Sequence, residues 1–166
     1  PETAVLANDC FAGCYKIKNL VIPRGNITLN GVNVGRTANV VLPDDVLEVN
    51  GPISNGRHGW DDISSGNSTL KSIDLKNVRI LTNGALANCI VLDKVTLPDS
   101  LITLGMNAFR NCRKLRSIEG GGNVRQIGIC CFADCSELDD FGDLEKSVRN
   151  VGTLAFLDTD WFHDQP

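Results

Sequence analysis

Leu104-Gly-Met-Asn-Ala-Phe-Arg-Asn-Cys112 returns as Ile127-Gly-Ile-Cys-Cys-Phe-Ala-Asp-Cys135, and both restate Leu81-Thr-Asn-Gly-Ala-Leu-Ala-Asn-Cys89. Val151-Gly-Thr-Leu-Ala-Phe-Leu-Asp-Thr159 is a further copy, and Leu6-Ala-Asn-Asp-Cys-Phe-Ala-Gly-Cys14 opens the chain with another. The later copies begin at residues 81, 104, 127 and 151, a step of 23, 23 and 24. A period of about 20–29 residues marks a solenoid, in which no unit buries its apolar side alone and each is completed by its neighbours. That pattern points toward a binding surface and away from a pocketed enzyme.

The residues after each copy are regular too. Cys89 is followed by Leu92, Val95, Leu97 and Pro98; Cys14 by Ile17, Leu20, Ile22 and Pro23; Cys112 by Leu115 and Ile118; and Cys135 by Leu138, Phe141 and Leu144. Leu70, Ile73 and Leu75 keep the spacing without a preceding Cys. The alternation suits a short strand with one buried face. Pro at its end cannot donate to a ladder and presets a turn, which Pro43-Asp-Asp and Pro98-Asp-Ser complete. Leu101 to Leu104 reads as a second extended segment. Gly105 to Cys112 is too short for an independent helix, but its spacing fits one helical turn with Ala108 and Phe109 inward.

Leu92-x-x-Val-x-Leu-Pro-Asp-Ser-Leu-x-x-Leu-Gly-x-x-Ala-Phe-x-Asn-Cys112 resembles the BspA-type, or Treponema pallidum-type, leucine-rich repeat. The resemblance covers residues 69–166 closely and 1–49 loosely, and Thr159-Asp-Trp-Phe162 is similar to the way such repeats end in gut-bacterial surface proteins. It implies an α/β repeat: a right-handed leucine-rich-repeat solenoid with short parallel strands on one face and short helical turns or second strands on the other. It also implies a bacterial, extracellular or cell-surface protein, without cofactor or catalysis, that adheres to a protein ligand such as host extracellular matrix or another cell surface. Residues 1–166 are then one solenoid domain of about six or seven coils. Both ends lack a polar cap, so the chain reads as a piece of a longer protein.

The middle departs from the pattern. Asn50-Gly-Pro-Ile-Ser54 replaces the expected Gly-x-x-Ala-Phe, and an insert near residues 54–68, rich in Gly, Ser and Asn, follows it. Such a stretch is a surface loop, and loops on rigid scaffolds often carry function. Arg57 and Trp60 are its candidate contact residues. Gly120-Gly-Gly122 stands where Leu-Pro is expected and is a flexible turn, since no Gly-Lys-Ser/Thr follows it.

Sixteen Lys and Arg against twenty Asp and Glu leave a formal charge of −4, with no basic patch to recruit nucleic acid. No apolar run is long enough to span a membrane. Of the seven Cys, Cys14, Cys89, Cys112 and Cys135 hold one repeat position, while Cys10 and Cys131 stand where other copies carry Ala. These six read as small inward apolar residues; only Cys130 is outside the grammar. A disulfide ladder fits poorly, because stacked equivalent positions lie about 5 Å apart with parallel Cβ atoms, whereas a disulfide needs about 4 Å and convergence. Zinc would require Cys10, Cys14, Cys131 and Cys135 to converge from distant coils. A nucleophilic Cys would need a base, and the chain has only His58 and His163. Asp61, Asp62 and Asn67 lack the spacing of an EF-hand loop. Asn26-Ile-Thr28 and Asn67-Ser-Thr69 are glycosylation sequons.

One strand per coil, aligned in parallel, makes a sheet whose outward residues form a broad surface. By the Leu-x-x-Ile-x-Leu register these are Asn19 and Val21, Ser72 and Asp74, Lys94 and Thr96, and Ser117 and Glu119. The strip mixes small polar and charged groups and suits a moderately polar protein partner. A structural spacer in a surface or phage fibre is the other function this architecture fits.

Overall fold

A computed structural model of the chain describes residues 11, 14, 16–22, 28–29, 32–54 and 66–160. The first two full coils carry three strands each. They are β1 (Asn19–Val21), β2 (Thr28–Leu29) and β3 (Val32–Asn33), then β4 (Asn39–Val41), β5 (Glu48–Asn50) and β6 (Ile53–Ser54). Two strands per coil follow: β7 (Ser72–Asp74) and β8 (Ile80–Thr82), β9 (Lys94–Leu97) and β10 (Thr103–Leu104), β11 (Ser117–Gly120) and β12 (Gln126–Ile127). The last coil holds α1 (Leu144–Ser147) and β13 (Asn150–Val151).

Every pairing is parallel and joins one coil to the next. β1, β4 and β7 form one side, continued by β9 and β11, with Ser117 bridging to Asp140. The second side is a six-stranded sheet in the order β13-β12-β10-β8-β5-β2. Register is kept along it: Leu81 lies beside Leu104, Leu104 beside Ile127, and Ile127 beside Val151. The period-two alternation expected for the strand segments holds, with burial running exposed–buried–exposed in β1 and β7.

The third side begins as the β3–β6 pair and continues as a run of tight turns. Ile53 N–H joins the two by donating to Ala85 O at 2.9 Å. Gly105–Cys112 is not a helical turn. Ala108 N–H bonds back to Gly105 O, Arg110 N–H to Asn107 O, and Cys112 N–H to Phe109 O. The alternate donors leave the coil: Asn107, Phe109 and Asn111 N–H reach Ile129, Cys131 and Ala133 O at 2.8–3.0 Å. A helix would keep all of these bonds inside the segment, whereas here half of them bind coil to coil. Ala108 and Phe109 do face inward, fully buried.

This path requires left-handed backbone twice per coil. Gly84, Asn107, Cys130 and Leu154 share one such position, with φ from 52° to 71°, and Asn88, Asn111, Asp134 and Asp158 share the other, with φ from 56° to 63°. Asn and Asp tolerate this region because their short polar side chains bond locally, which explains the Asn or Asp before each Cys. Cys130, outside the repeat grammar, occupies the first of these columns, and its backbone, not its thiol, is what the fold uses.

The spine is one continuous core. Phe109 and Phe132 stack with centroids 5.3 Å apart, Phe132 and Phe156 at 5.6 Å, and Phe141 meets Phe132 and Phe156 edge-on. Cys89, Cys112 and Cys135 form a second buried column. Their thiols bond along it, Cys112 Sγ donating to Leu86 O at 3.0 Å and Cys135 Sγ to Phe109 O at 3.1 Å. Burial pushes the Cys112 thiol well above its ordinary range, with the neighbouring Cys135 and Cys89 adding to it, and burial raises Cys131 as well.

Candidate binding face

The first side presents the residues that the strand register points outward. Leu20, Val40, Ile73, Val95 and Ile118 turn into the core, and their flanking residues face solvent. Asn19, Ser72, Asp74, Lys94, Thr96 and Glu119 are exposed and Ser117 is half-buried. Val21 is 68% exposed, the most exposed large apolar side chain among those described. Arg57 and Trp60 of the insert lie outside the described residues, as do Cys10, Asn26, His58, Asp61, Asp62 and His163.

Because successive coils align in register, side chains of equal position meet. Asn39 Nδ2 donates to Asn19 Oδ1 at 2.7 Å, and Ser72 Oγ donates to Asn39 Oδ1 at 2.8 Å, so three coils carry one polar ladder. In the next two coils, Lys94 Nζ lies 2.6 Å from Glu119 Oε1 while Thr96 Oγ1 donates to Glu119 Oε2 at 3.2 Å. The Lys94 contact holds the Glu119 carboxyl below its ordinary range. At Asp74 partial burial pushes the carboxyl up, but the Lys76 ammonium and backbone N–H, at 2.7 and 3.1 Å, outweigh it and the pKa falls.

Two participants escaped the sequence reading. Asn39 is the Asn19 position one coil on and was legible from its register. Lys76 stands where flanking coils have Pro, and nothing in the spacing marks it. Beside the face, Glu137 binds both Lys114 and Arg116, the latter at 2.9 Å, and is held below its ordinary range by Lys114 first and then Arg116. The charges of the face are thus paired within it. This gives a polar strip with an apolar end at Val21.

Asn67 is a correction to the sequon reading. It is fully buried, and its Oδ1 accepts from Thr69 N–H at 3.0 Å and Thr69 Oγ1 at 2.8 Å. It anchors the chain where the insert rejoins the stack and is closed to a glycosyltransferase. Among the described residues no group of three His, Cys, Asp or Glu is placed to hold a metal ion, and no helix is long and apolar enough to cross a membrane.

The coil geometry has counterparts among solved structures. A leucine-rich repeat protein from Bacteroides ovatus matches with a TM-score of 0.69 at 22% identity, over 91% of this chain and 37% of that one. A leucine-rich cell-surface protein from Faecalibacterium prausnitzii matches at 0.59 and 20% identity, over 80% of this chain and 32% of that one. The Treponema pallidum leucine-rich repeat protein matches at 0.57 and 18%, over 88% of this chain and 78% of that one. At such identities the likeness concerns the fold. The chain spans 32% and 37% of the length of the first two. No curated protein matches it. The model of the BspA-type leucine-rich repeat region matches residues 64–163 in six copies. The chain belongs to the BspA-type leucine-rich-repeat family.

Proposed function

We propose that this chain is a non-catalytic protein-binding module displayed outside a bacterial cell, and that the outward side of β1, β4, β7, β9 and β11 is its adhesive face. The observation that carries this reading is the cross-coil ladder from Asn19 through Asn39 to Ser72, joined in the same face by the Lys94–Glu119–Thr96 cluster. Side chains held by their neighbours lose little freedom on docking, so a partner meets a preorganised surface at lower entropic cost. Val21 supplies an exposed apolar contact at one end. The partner is a protein of the extracellular matrix or of another cell's surface. A cell-surface protein among the structural neighbours fits that setting.

The test is attachment of the purified chain to immobilised matrix proteins and to fixed cells. Asp74→Lys combined with Lys94→Glu reverses two exposed charges and is expected to weaken attachment about tenfold or more, roughly the effect of 1.4 kcal/mol, while the melting temperature stays put. Attachment unchanged by this variant and by Val21→Asp would overturn the adhesive face and leave the coils acting as a spacer.

A further inference from the structure

At three places a cation of one coil meets a carboxylate of the next. Lys94 lies 2.6 Å from Glu119, Arg116 2.9 Å from Glu137 and Arg110 3.3 Å from Asp134. The corner between β11 and β12 breaks this rule. Arg149 follows Arg125 one coil on, and its N–H donates to Arg125 O at 3.0 Å, which sets the two backbones about 5 Å apart. Like charges in neighbouring strands repel, yet neither guanidinium has a carboxylate partner among the described residues.

Arg125 is held in place. Its Nη1 donates to Gly122 O and Val124 O at 3.2 Å and to Ser147 O at 3.3 Å. Those carbonyls fix the guanidinium and leave the edge made by Nε–H and Nη2–H, the fork that matches paired oxygens, without a protein acceptor. Lys146 precedes Ser147 on α1 and lines the same cleft, as Arg149 does. Lys146 Nζ reaches only Asp143, at 3.6 Å, and its side chain is 82% exposed. The cleft, of about 380 Å³, thus gathers three cations against one carboxylate in a chain whose formal charge is −4.

An anion answers this arrangement. The three cations come from three segments, the approach to β12, α1 and the approach to β13. They suit a tetrahedral oxyanion, whose terminal oxygens point apart, better than a carboxylate, whose two oxygens share one plane with the fork. Val148 is the only apolar side chain among the described residues of the lining, so the group that carries the charge is hydrophilic and has no ring or lipid tail to bury. Asp143 is an acceptor beside the cations and has no donor to offer when ionised. We propose that this corner binds the sulfate or phosphate monoester of a sugar. Arg125 takes two oxygens through its fork, Arg149 and Lys146 take the remaining charge, and Asp143 accepts from a sugar hydroxyl. The site lies beyond the end of β11 and does not depend on the adhesive-face reading.

Titration of the whole ¹⁵N-labelled chain with glucose 6-sulfate, glucose 6-phosphate, glucose and acetate, at fixed ionic strength, tests it. The readout is the set of arginine Nε–H resonances. At least one ester is expected to shift the Arg125 and Arg149 signals saturably, with a Kd on the order of 1 mM, about tenfold tighter than acetate. The ester that binds more tightly names the anion the site takes. Glucose is expected to leave the signals in place. Arg125 and Arg149 signals that stay still with both esters, or that move as far with acetate, overturn the site. Arg149→Gln removes an exposed side chain and is expected to weaken the ester about fivefold with an unchanged melting temperature. Lys71→Gln removes an exposed cation elsewhere and is expected to change nothing. Equal losses in the two variants would mean that surface cations attract the ester without a site, and would overturn the proposal. No protein partner enters this experiment, so it fails or stands separately from the attachment assay.

Discussion

Phe109 and Phe132, one coil apart, stack with centroids 5.3 Å apart and planes within 10° of parallel. Phe132 then stacks on Phe156 and meets the edge of Phe141, so one ring touches three others. Phe132→Ala should therefore cost about 3–5 kcal/mol, the range for deleting a buried aromatic, and Phe156→Ala less, because Phe156 is only half-buried. Urea unfolding followed by circular dichroism checks both. A Phe132→Ala chain as stable as the parent would mean that the ring column is not the centre of the spine.

Gly105, Gly128 and Gly152 share one repeat position at which neighbouring coils approach closely. A Cβ on Gly128 would lie 2.5 Å from Gly105 C, and one on Gly152 equally close to Gly128 C. These neighbours are backbone and cannot turn aside. Gly128→Ala is expected to destabilise by about 1–3 kcal/mol, as overpacking does. Gly122 is the control, since a Cβ there meets nothing nearer than 3.8 Å. Gly122→Ala is expected to be neutral or to stabilise by up to about 1 kcal/mol, through the unfolded chain. Paired thermal melts decide, and equal effects at the two sites would contradict the close approach.

The buried thiols give a dependence on alkali. The folded-state pKa values of Cys112 and Cys131 are raised by burial above the ordinary 9.0, while in the unfolded chain they return to it. At pH below 9 both states hold the proton and stability is unaffected. Above that, the unfolded chain releases protons that the folded chain keeps, so stability falls as pH rises. The slope of stability against pH between 9 and 10.5 should flatten in the Cys112→Ala, Cys131→Ala variant. Iodoacetamide at pH 8 should label half-buried Cys130 in the native chain and reach Cys112 only on unfolding.

Leu154 has φ 58° in the column that Gly84 and Asn107 also occupy, and it is 54% exposed. A branched residue there is strained and gains little from burial in return. Leu154→Gly is expected to stabilise by about 1 kcal/mol. A loss of stability on calorimetry would show that Leu154 packs against something that offsets its backbone.

The repeat step of 23 and the alternation in Leu92-x-x-Val95-x-Leu97 were enough to place Leu20, Ile73, Val95 and Ile118 inward and Asn19, Ser72, Asp74, Lys94, Thr96 and Glu119 outward. Period-two chemistry makes that assignment local, since each residue's side of the strand follows from its neighbour's. The turns were misread for an equally local reason. The apolar spacing of Gly105 to Cys112 suits a helical turn as well as a run of left-handed kinks, and the choice rests on where Asn107, Phe109 and Asn111 send their N–H groups.

Residue type and spacing by themselves determined the solenoid, its buried Phe and Cys columns and the composition of its outward strip. Those properties depend on periodicity, and a chain carries its periodicity with it. Only the tertiary structure decided that Asn39 bridges Asn19 and Ser72, that Lys94 clasps Glu119, and that β7 parts from β9. The partners are 20 to 33 residues apart in sequence, and their meeting depends on the register between coils.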